Sequence, residues 1–444
     1  MDTLTPSFSS PPMEETWRNE VLPDDILTQI LTYVPPKPLT RFKLVSKSFL
    51  TLINHPTFLH LHLHRHRHRS STTSLAAIHH SSSTLTLHTL HLPTPNNSIS
   101  PEITKLPLPF TPKTSPPNLI GSCHGIVCVS AFPDFVALVN PVTRTFHNMA
   151  FPPLHPDGYT RSHWVVFGFG FDEFDADFRV LRVDQVHNLG GEELVGPREA
   201  QVFSLKSNSW KKVDDFPYFL SHPMSHGKYF CNSLHWIATT THPAVFNITG
   251  LLWRGRLDDF VYDYVLVVFD LHLDKFRVLP LPDYGVDDLV VPRLSVGVLG
   301  ECLFVQVEHG ARFKRCVDVW VMREYGVKES WIKLLSFPYM EVRRELLPIT
   351  TLALSSRGNE VLMQLGEECF WLEVGSGKIT DVVIDGGLPF LLELISGHTC
   401  CFGAVLFVES LVCLSCRLEA GDVKKNSNGQ KKRGGLLSSR FKLK

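Results

Sequence analysis

A small all-α unit of three short helices, followed by a mostly-β, irregular, propeller-like body, is the fold class the sequence predicts. Three observations carry it. Apolar residues recur with helical spacing only between about residues 20 and 60. From Leu119 onward, a strand, a polar turn, an aromatic and a proline return together, with the aromatics Phe146, Trp210, Phe276 and Trp331 spaced by 64, 66 and 55 residues. Thirty-one prolines against seven methionines, with Phe the commonest aromatic, favour strands and turns over long helices.

The expected layout is a disordered polar leader (1–19), the helical unit (20–60), a His/Ser/Pro-rich linker (61–118), the β body (119–417) and a basic tail (418–444). Within the helical unit, Leu22-Pro23-Asp24-Asp25 supplies a proline suited to a first turn and two acids that favour the positive helix end. Ile26, Leu27, Ile30, Leu31 and Val34 then keep helical spacing until Pro35 and Pro36 stop it. A second helix is expected from Pro38, with Leu39, Phe42, Val45 and Phe49 among basic Arg41, Lys43 and Lys47, and a third holds Leu52 and Ile53. About forty residues cannot bury that much aliphatic surface among themselves, so the excess apolar face should meet another protein.

These residues resemble an F-box. The run Leu22 to Phe58 (LPDDILTQILTYVPPKPLTRFKLVSKSFLTLINHPTF) carries the L-P-x-D opening, the I-L pair before the proline turn and the L-x-R-F-x-x-V-S-K-S stretch, with Phe49 where plant members usually carry Trp. The resemblance implies binding of a Skp-type adaptor, and through it a cullin-RING ubiquitin ligase. Matching motif positions are Leu22, Pro23, Ile26, Leu27, Ile30, Leu31, Leu39, Phe42, Val45 and Lys47. The competing reading of the same residues is a helical cap or a helix-turn-helix placing Arg41, Lys43 and Lys47 on phosphates.

In the linker, eight prolines from Pro93 to Pro117 oppose helix and central strand, although Thr84–Leu92 alternates like a strand. In the body, the clearest repeat copies are 138–152, 202–217, 267–282 and 317–338, with a weaker fifth at 369–384 and upstream partner strands in 119–130, 227–238, 294–307 and 350–364. Small antiparallel sheets of this kind must stack to bury both faces, and radial stacking gives a β-propeller of five or six blades. A β-sandwich is the alternative. The body also resembles the plant F-box-associated domain through GSCHGIVCVS (from Gly121), NPVTRTFHNMAFPP (from Asn140), VFGFGFDEFDADFRVLRV (from Val166) and VLFVESLVCL (ending at Leu414), with His124 where members often have Asn.

Other constellations point to bland roles. The near balance of 43 basic and 44 acidic residues argues against a whole-chain nucleic-acid footprint. Alternating histidines in 60–69 would share one face of an extended chain and bind metal there, yet no carboxylate or Cys accompanies them, so a solvated linker is expected. Cys413-x-x-Cys416 lacks the second pair of a zinc site, and Cys123-His124 reads as a turn. Gly168-Phe169-Gly170 lacks the third glycine of a dinucleotide loop. Asp172, Glu173, Asp175 and Asp177 form an acidic turn. No cofactor and no metal are expected.

Pro11, Pro12, Glu14 and Glu15 break any signal peptide, and Glu393, His398 and Glu409 break any span across 388–416, so no membrane association is expected. Ten cysteines without a regular framework suit the cytoplasm or nucleus, and two sequons, at Asn96 and Asn247, read as chance. In the tail, Lys424-Lys425 and Lys431-Lys432-Arg433 resemble a nuclear-import signal or a solvated end. The function expected is a non-catalytic substrate receptor of an SCF-type ubiquitin ligase. Alternatives are a propeller hydrolase using acids in 172–177 and 283–288, or a lectin-like binder. Target recognition is expected in the interruptions 187–198 and 250–264.

Overall fold

The structure, a computed structural model, describes residues 22–69, 74–80, 84–91, 103–113, 117–150, 161–188, 198–220, 225–240, 263–285, 292–311, 314–339, 349–355, 357–365, 368–381 and 404–414. The leader, the tail, Cys416, Asp288 and most of both expected recognition interruptions lie outside them.

Helix α1 (Asp24–Leu31) opens after Pro23 with both acids in its first turn, where they face the positive end of the helix dipole. Helix α2 (Pro36–Phe42) starts at Pro36, two residues earlier than expected from Pro38, because proline in the first turn costs no hydrogen bond. It also ends earlier. Helix α3 (Lys47–Asn54) begins anew at Ser46, whose Oγ accepts the Phe49 N–H at 3.1 Å. Val45 therefore sits in the turn between two helices.

A fourth helix, α4 (Pro56–Arg69), corrects the reading of the histidine tract as extended linker. Proline stands only at its first position, and no glycine or further proline interrupts residues 57–69. Alternate histidines on a helix diverge by about 200°, so the tract does not present all its histidines on one face as an extended chain would.

Six antiparallel sheets follow among the described residues. Blade 1 contains β1 (Ser74–His80), β2 (Leu85–His91) and β3 (Ile103–Leu108), so three strands lie within the segment expected to be a linker. Pro107 is tolerated there because β3 is an edge strand. Blade 2 is β4 (Asn118–Cys123), β5 (Ile126–Ala131), β6 (Phe135–Asn140) and β7 (Thr145–Met149). Blade 3 is β8 (Arg161–Asp172), β9 (Asp177–Asn188), β10 (Arg198–Ser204) and β11 (Ser209–Lys212). Blade 4 is β12 (Phe219–Leu220), β13 (Lys228–Phe230), β14 (Ser233–Thr239), β15 (Tyr264–Asp270) and β16 (Lys275–Leu279). Blade 5 is β17 (Arg293–Leu299), β18 (Cys302–Ala311), β19 (Lys314–Met322) and β20 (Trp331–Tyr339). Blade 6 is β21 (Ile349–Leu354), β22 (Glu360–Leu365), β23 (Glu368–Glu373) and β24 (Ile379–Asp381). The last strand, β25 (Ala404–Phe407), pairs with β1 from Ala77↔Ala404 to Ser74↔Phe407 and completes blade 1.

Inner strands abut in the cyclic order β25, β4, β8, β13, β17, β21 and back to β25. This is a closed six-bladed propeller, not a sandwich, and a strand from each end of the sheet region locks the ring. Apolar clusters fill the spaces between blades 1 and 2, 2 and 3, 3 and 4, 4 and 5, and 5 and 6. The recurring aromatics belong to this packing. Trp210 and Trp331 begin outer strands, and their indole N–H groups donate to the Ala150 carbonyl at 2.7 Å and the Pro280 carbonyl at 2.9 Å, just beyond the outer strand of the preceding blade. Gly168 and Gly170 on β8 let blade 4 approach, since a Cβ at Gly168 would lie 2.7 Å from Trp236 and one at Gly170 2.4 Å from Tyr229.

Strands alternate in direction, so the turns joining first to second and third to fourth strands gather on one face of the ring. Second-to-third and blade-to-blade connections gather on the other. The first face has tight turns, such as His124-Gly125 with φ of 50° and 80°, the geometry of a two-residue hairpin that favours Asn or Gly. The opposite rim receives the ends of β9 and β10 and of β14 and β15, which border both expected recognition interruptions.

Candidate functional site

The helical unit builds a small core from Leu31, Leu39, Ile53, Phe58 and Leu59, joined by Leu411 from the segment after β25. Leu27, Phe42 and Phe49 pack on its margin, and the rings of Phe42 and Phe49 meet edge to face at 6.3 Å. The ten residues predicted for the adaptor face therefore divide. Leu39 is 0% and Leu31 3% exposed, so both are core, and Leu27 and Phe42 are half-buried. Ile26 and Ile30 lie one turn apart on the outer side of α1 with Leu22 and Pro23 ahead of them, all exposed. Val45 is 69% exposed in the α2–α3 turn, and Lys47 is exposed at the start of α3.

Four further apolar side chains stand outside: Tyr33 after α1, Leu44 at 87% exposure beside Val45, Leu50 in α3 and Leu61 in α4. Sequence reading passed over them. Tyr33 extends the three-to-four-residue spacing of Ile26 and Ile30, a signal that was present, whereas the exposure of Leu44 depends on where α2 stops.

The helical unit is tied to the tight-turn face of the propeller near blades 1 and 2. Lys37 Nζ lies 3.3 Å from Glu409 Oε1 and 3.5 Å from Thr104 Oγ1. Leu63 of α4 packs with Val412 and Leu414 against the cluster between blades 2 and 3. His62 Nε2 donates to the Val34 carbonyl at 2.9 Å, and Arg65 donates to Thr32 Oγ1 at 2.6 Å while stacking 3.8 Å over the Tyr33 ring. Burial pushes the His62 imidazole down to about 4, against the hydrogen bond to Val34 and helped by the neighbouring His66. Its neutral ring serves as a structural donor.

The other side of this joint is held by Asn140, fully buried at the end of β6. Its Nδ2 donates to the Ser410 and Val412 carbonyls at 3.2 and 2.6 Å, and its Oδ1 accepts from the Val142 and Thr143 N–H groups at 2.9 and 3.2 Å. Ser410 Oγ donates to the His124 carbonyl at 2.7 Å, and a Cβ at Gly125 would lie only 2.2 Å from that hydroxyl. The Gly-Ser-Cys-His-Gly and Asn-Pro stretches thus form the seat for the chain's returning end.

The acidic turn between β8 and β9 encloses an arginine. Arg179 lies 3.0 Å from Asp172, 2.6 Å from Asp175, 3.7 Å from Asp177 and 3.3 Å from Asp274. Asp172 Oδ1 also accepts two turn N–H groups, and Asp177 accepts from Ser204 and Lys206. Pairing with Arg179 and the turn hydrogen bonds account for where these acids point. Asp283 pairs with Lys328 at 2.9 Å. Cys123 is buried, and His124 sits at the left-handed turn, packed 4.5 Å from Phe171. No helix among the described residues is long and apolar enough to cross a membrane.

A helical unit with exposed apolar side chains, fixed to one face of a six-bladed propeller, defines the class: an F-box joined to a β-propeller. Residues 20–61 match the F-box domain and residues 77–367 match the F-box associated beta propeller domain, so the chain belongs to the F-box-associated β-propeller family of F-box proteins. Similar proteins include F-box protein CPR1 of Arabidopsis thaliana, 27% identical over 454 residues covering 95% of this chain and 99% of that one. F-box protein At4g22390 of Arabidopsis thaliana is 26% identical over 455 residues, covering 95% and 99%.

Proposed function

We propose that this chain is the substrate-recognition subunit of an SCF (Skp-cullin-F-box) ubiquitin ligase. Its F-box docks a Skp-type adaptor, and through it the cullin-RING machinery, while its propeller holds a protein target. The observation that carries this reading is a helical core already complete with Leu31, Leu39, Ile53 and Phe58, outside which Ile26, Ile30, Leu44 and Val45 remain exposed. Single exposed apolar residues are ordinary, but several on so small a unit are the mark of a partner surface. The adaptor face we propose comprises Leu22, Pro23, Ile26, Ile30, Val45 and Lys47 of the sequence-predicted set, with Leu44 and Leu50 added. Leu31 and Leu39 support it from the core, and Leu27 and Phe42 border it.

The work of such a receptor is positional. Holding a target on the same body as the adaptor raises the effective concentration of its lysines near the ubiquitin-charged enzyme, and this chain forms and breaks no bond itself. We assign the target to the rim carrying the long connections, because binding residues concentrate on such loops and the helical unit takes the other face. A reducing compartment, cytoplasm or nucleus, suits the free thiols of Cys123, Cys128, Cys231, Cys302, Cys316 and Cys413.

The test is co-expression of the full chain with a Skp-type adaptor and affinity capture of wild type beside Ile30→Asp. A charge on this exposed side chain leaves the fold intact, so loss of the adaptor and its cullin from the variant alone is expected. Equal capture by both would overturn the reading. Leu27→Asp serves less well, since Leu27 packs against the core and its variant confounds folding with binding.

A further inference from the structure

His309 near the end of β18 pairs directly across the sheet with Cys316 on β19, and Asp318 follows two residues on, which turns all three side chains to one face. This face is turned toward blade 4, and the three groups lie at the rim bearing the long connections, where β18 turns into β19. His309 Nε2 is 3.1 Å and Lys333 Nζ 2.7 Å from Asp318 Oδ2, while Cys316 Sγ is 3.8 Å from Asp318 Oδ1 and 3.1 Å from Ser336 Oγ. One nitrogen, one sulfur and one oxygen donor thus lie within 4.8 Å of one another. Asp318 is buried and the other two are partly open to solvent.

Zinc takes these donor types in tetrahedral sites with arms of about 2.0–2.3 Å, for which donors stand about 3.3–3.8 Å apart. The spacing here needs only small side-chain movements to meet it. We propose that His309, Cys316 and Asp318 form a three-ligand site for a zinc-type divalent ion, with a fourth position open to water or to a group on a bound partner. Binding releases the Cys316 thiol proton to solvent and frees the Lys333 ammonium from Asp318. Lys333 is half-exposed on a flexible stem, so it can swing away, and until the ion arrives it holds the carboxylate in place. Asp318 Oδ2 already accepts from both Lys333 and His309, so its carboxylate is turned into the donor cluster. Placement on this rim gives the ion access to whatever the propeller binds.

Because α4 carries further histidines, the test must read the thiolate. Titrating Co²⁺ into the full chain and following the cysteine-to-cobalt charge-transfer band is expected to give one band-forming site per chain, displaced by Zn²⁺. The band should vanish in Cys316→Ser and persist when exposed His60 and His64 become alanine. His309→Ala should weaken binding by about tenfold or more, and Lys333→Gln, which removes the competing cation, should tighten it by about tenfold. The last result separates a metal site from a salt-bridge network, in which losing Lys333 lowers thermal stability and changes no affinity. No band with folded wild type, or a band that survives Cys316→Ser, would overturn the proposal.

Discussion

Ile126 in β5 and Ile30 in α1 are the same side chain in two surroundings. Ile126 is fully buried between blades 2 and 3, whereas Ile30 is 48% exposed on a helix whose core is already full. The propeller has six sheets to interleave, so nearly every inward side chain finds a neighbour. The helical unit has four helices, and among the described residues Leu411, lent by the returning end of the propeller, enlarges its core. One region spends apolar surface on its own stability and the other presents it.

The largest effect that sharpens this contrast is Ile→Ala at the two positions. Ile126→Ala should cost about 2–5 kcal/mol of unfolding free energy by urea denaturation, and Ile30→Ala within about 0.5 kcal/mol. Similar costs at both sites would break the comparison.

Acid should weaken both regions, since each contains a buried histidine whose proton affinity the fold lowers. Burial pushes His62 in the F-box and His235 in the propeller down to about 4 from 6.5; the His62–Val34 bond and the His235–Lys228 carbonyl bond oppose this only partly. Both rings are neutral in the fold, so the unfolded chain binds more protons between pH 4 and 6.5. Stability is then lost as pH falls through that window, by on the order of 3 kcal/mol per histidine at the low end. Urea unfolding at pH 7 and pH 4.5 should show the loss, with a shallower slope in His235→Gln; a slope unchanged by that substitution would remove His235 from the account.

The joint between the regions is next in size. Asn140→Ala strands two buried carbonyls and two N–H groups, an expected loss of about 2 kcal/mol that hydrogen exchange should localise to residues 408–414. Exchange unchanged in that segment would show that Asn140 does not hold it. The smallest effect falls on an exposed turn, where Arg144 holds φ of 56° between β6 and β7. Arg144→Asn should raise stability by about 0.5 kcal/mol, because Asn tolerates the left-handed region better, and a decrease would contradict that assignment.

Sequence made much of this legible where the signal is local. The helical spacing of Ile26 to Leu31, the hairpins ending at Phe146, Trp210, Phe276 and Trp331, and the alternation of 84–92 all depend on neighbours within a few residues. The closing blade was not legible, because β1 and β25 meet from opposite ends of the sheet region and proline-rich sequence around β3 resembles a linker. Val45 was assigned to a helix because its spacing from Phe42 fits one, yet the Ser46 cap restarts the chain. Among the ten residues predicted for an adaptor face, periodicity picked out the apolar positions but could not tell Leu31, turned inward, from Ile30 beside it. His309 meets Cys316 and Asp318 only through the register of β18 on β19, which no spacing in the sequence reveals.

The central claim is that Ile30 and its exposed neighbours serve a partner and not the fold. Calorimetric titration of a Skp-type adaptor into the full chain, wild type against Ile30→Asp, tests it most directly alongside thermal unfolding of each. The account predicts affinity lower by about a hundredfold in the variant with an unchanged unfolding midpoint. Equal affinities, or a loss of binding that follows a loss of folding, would contradict it.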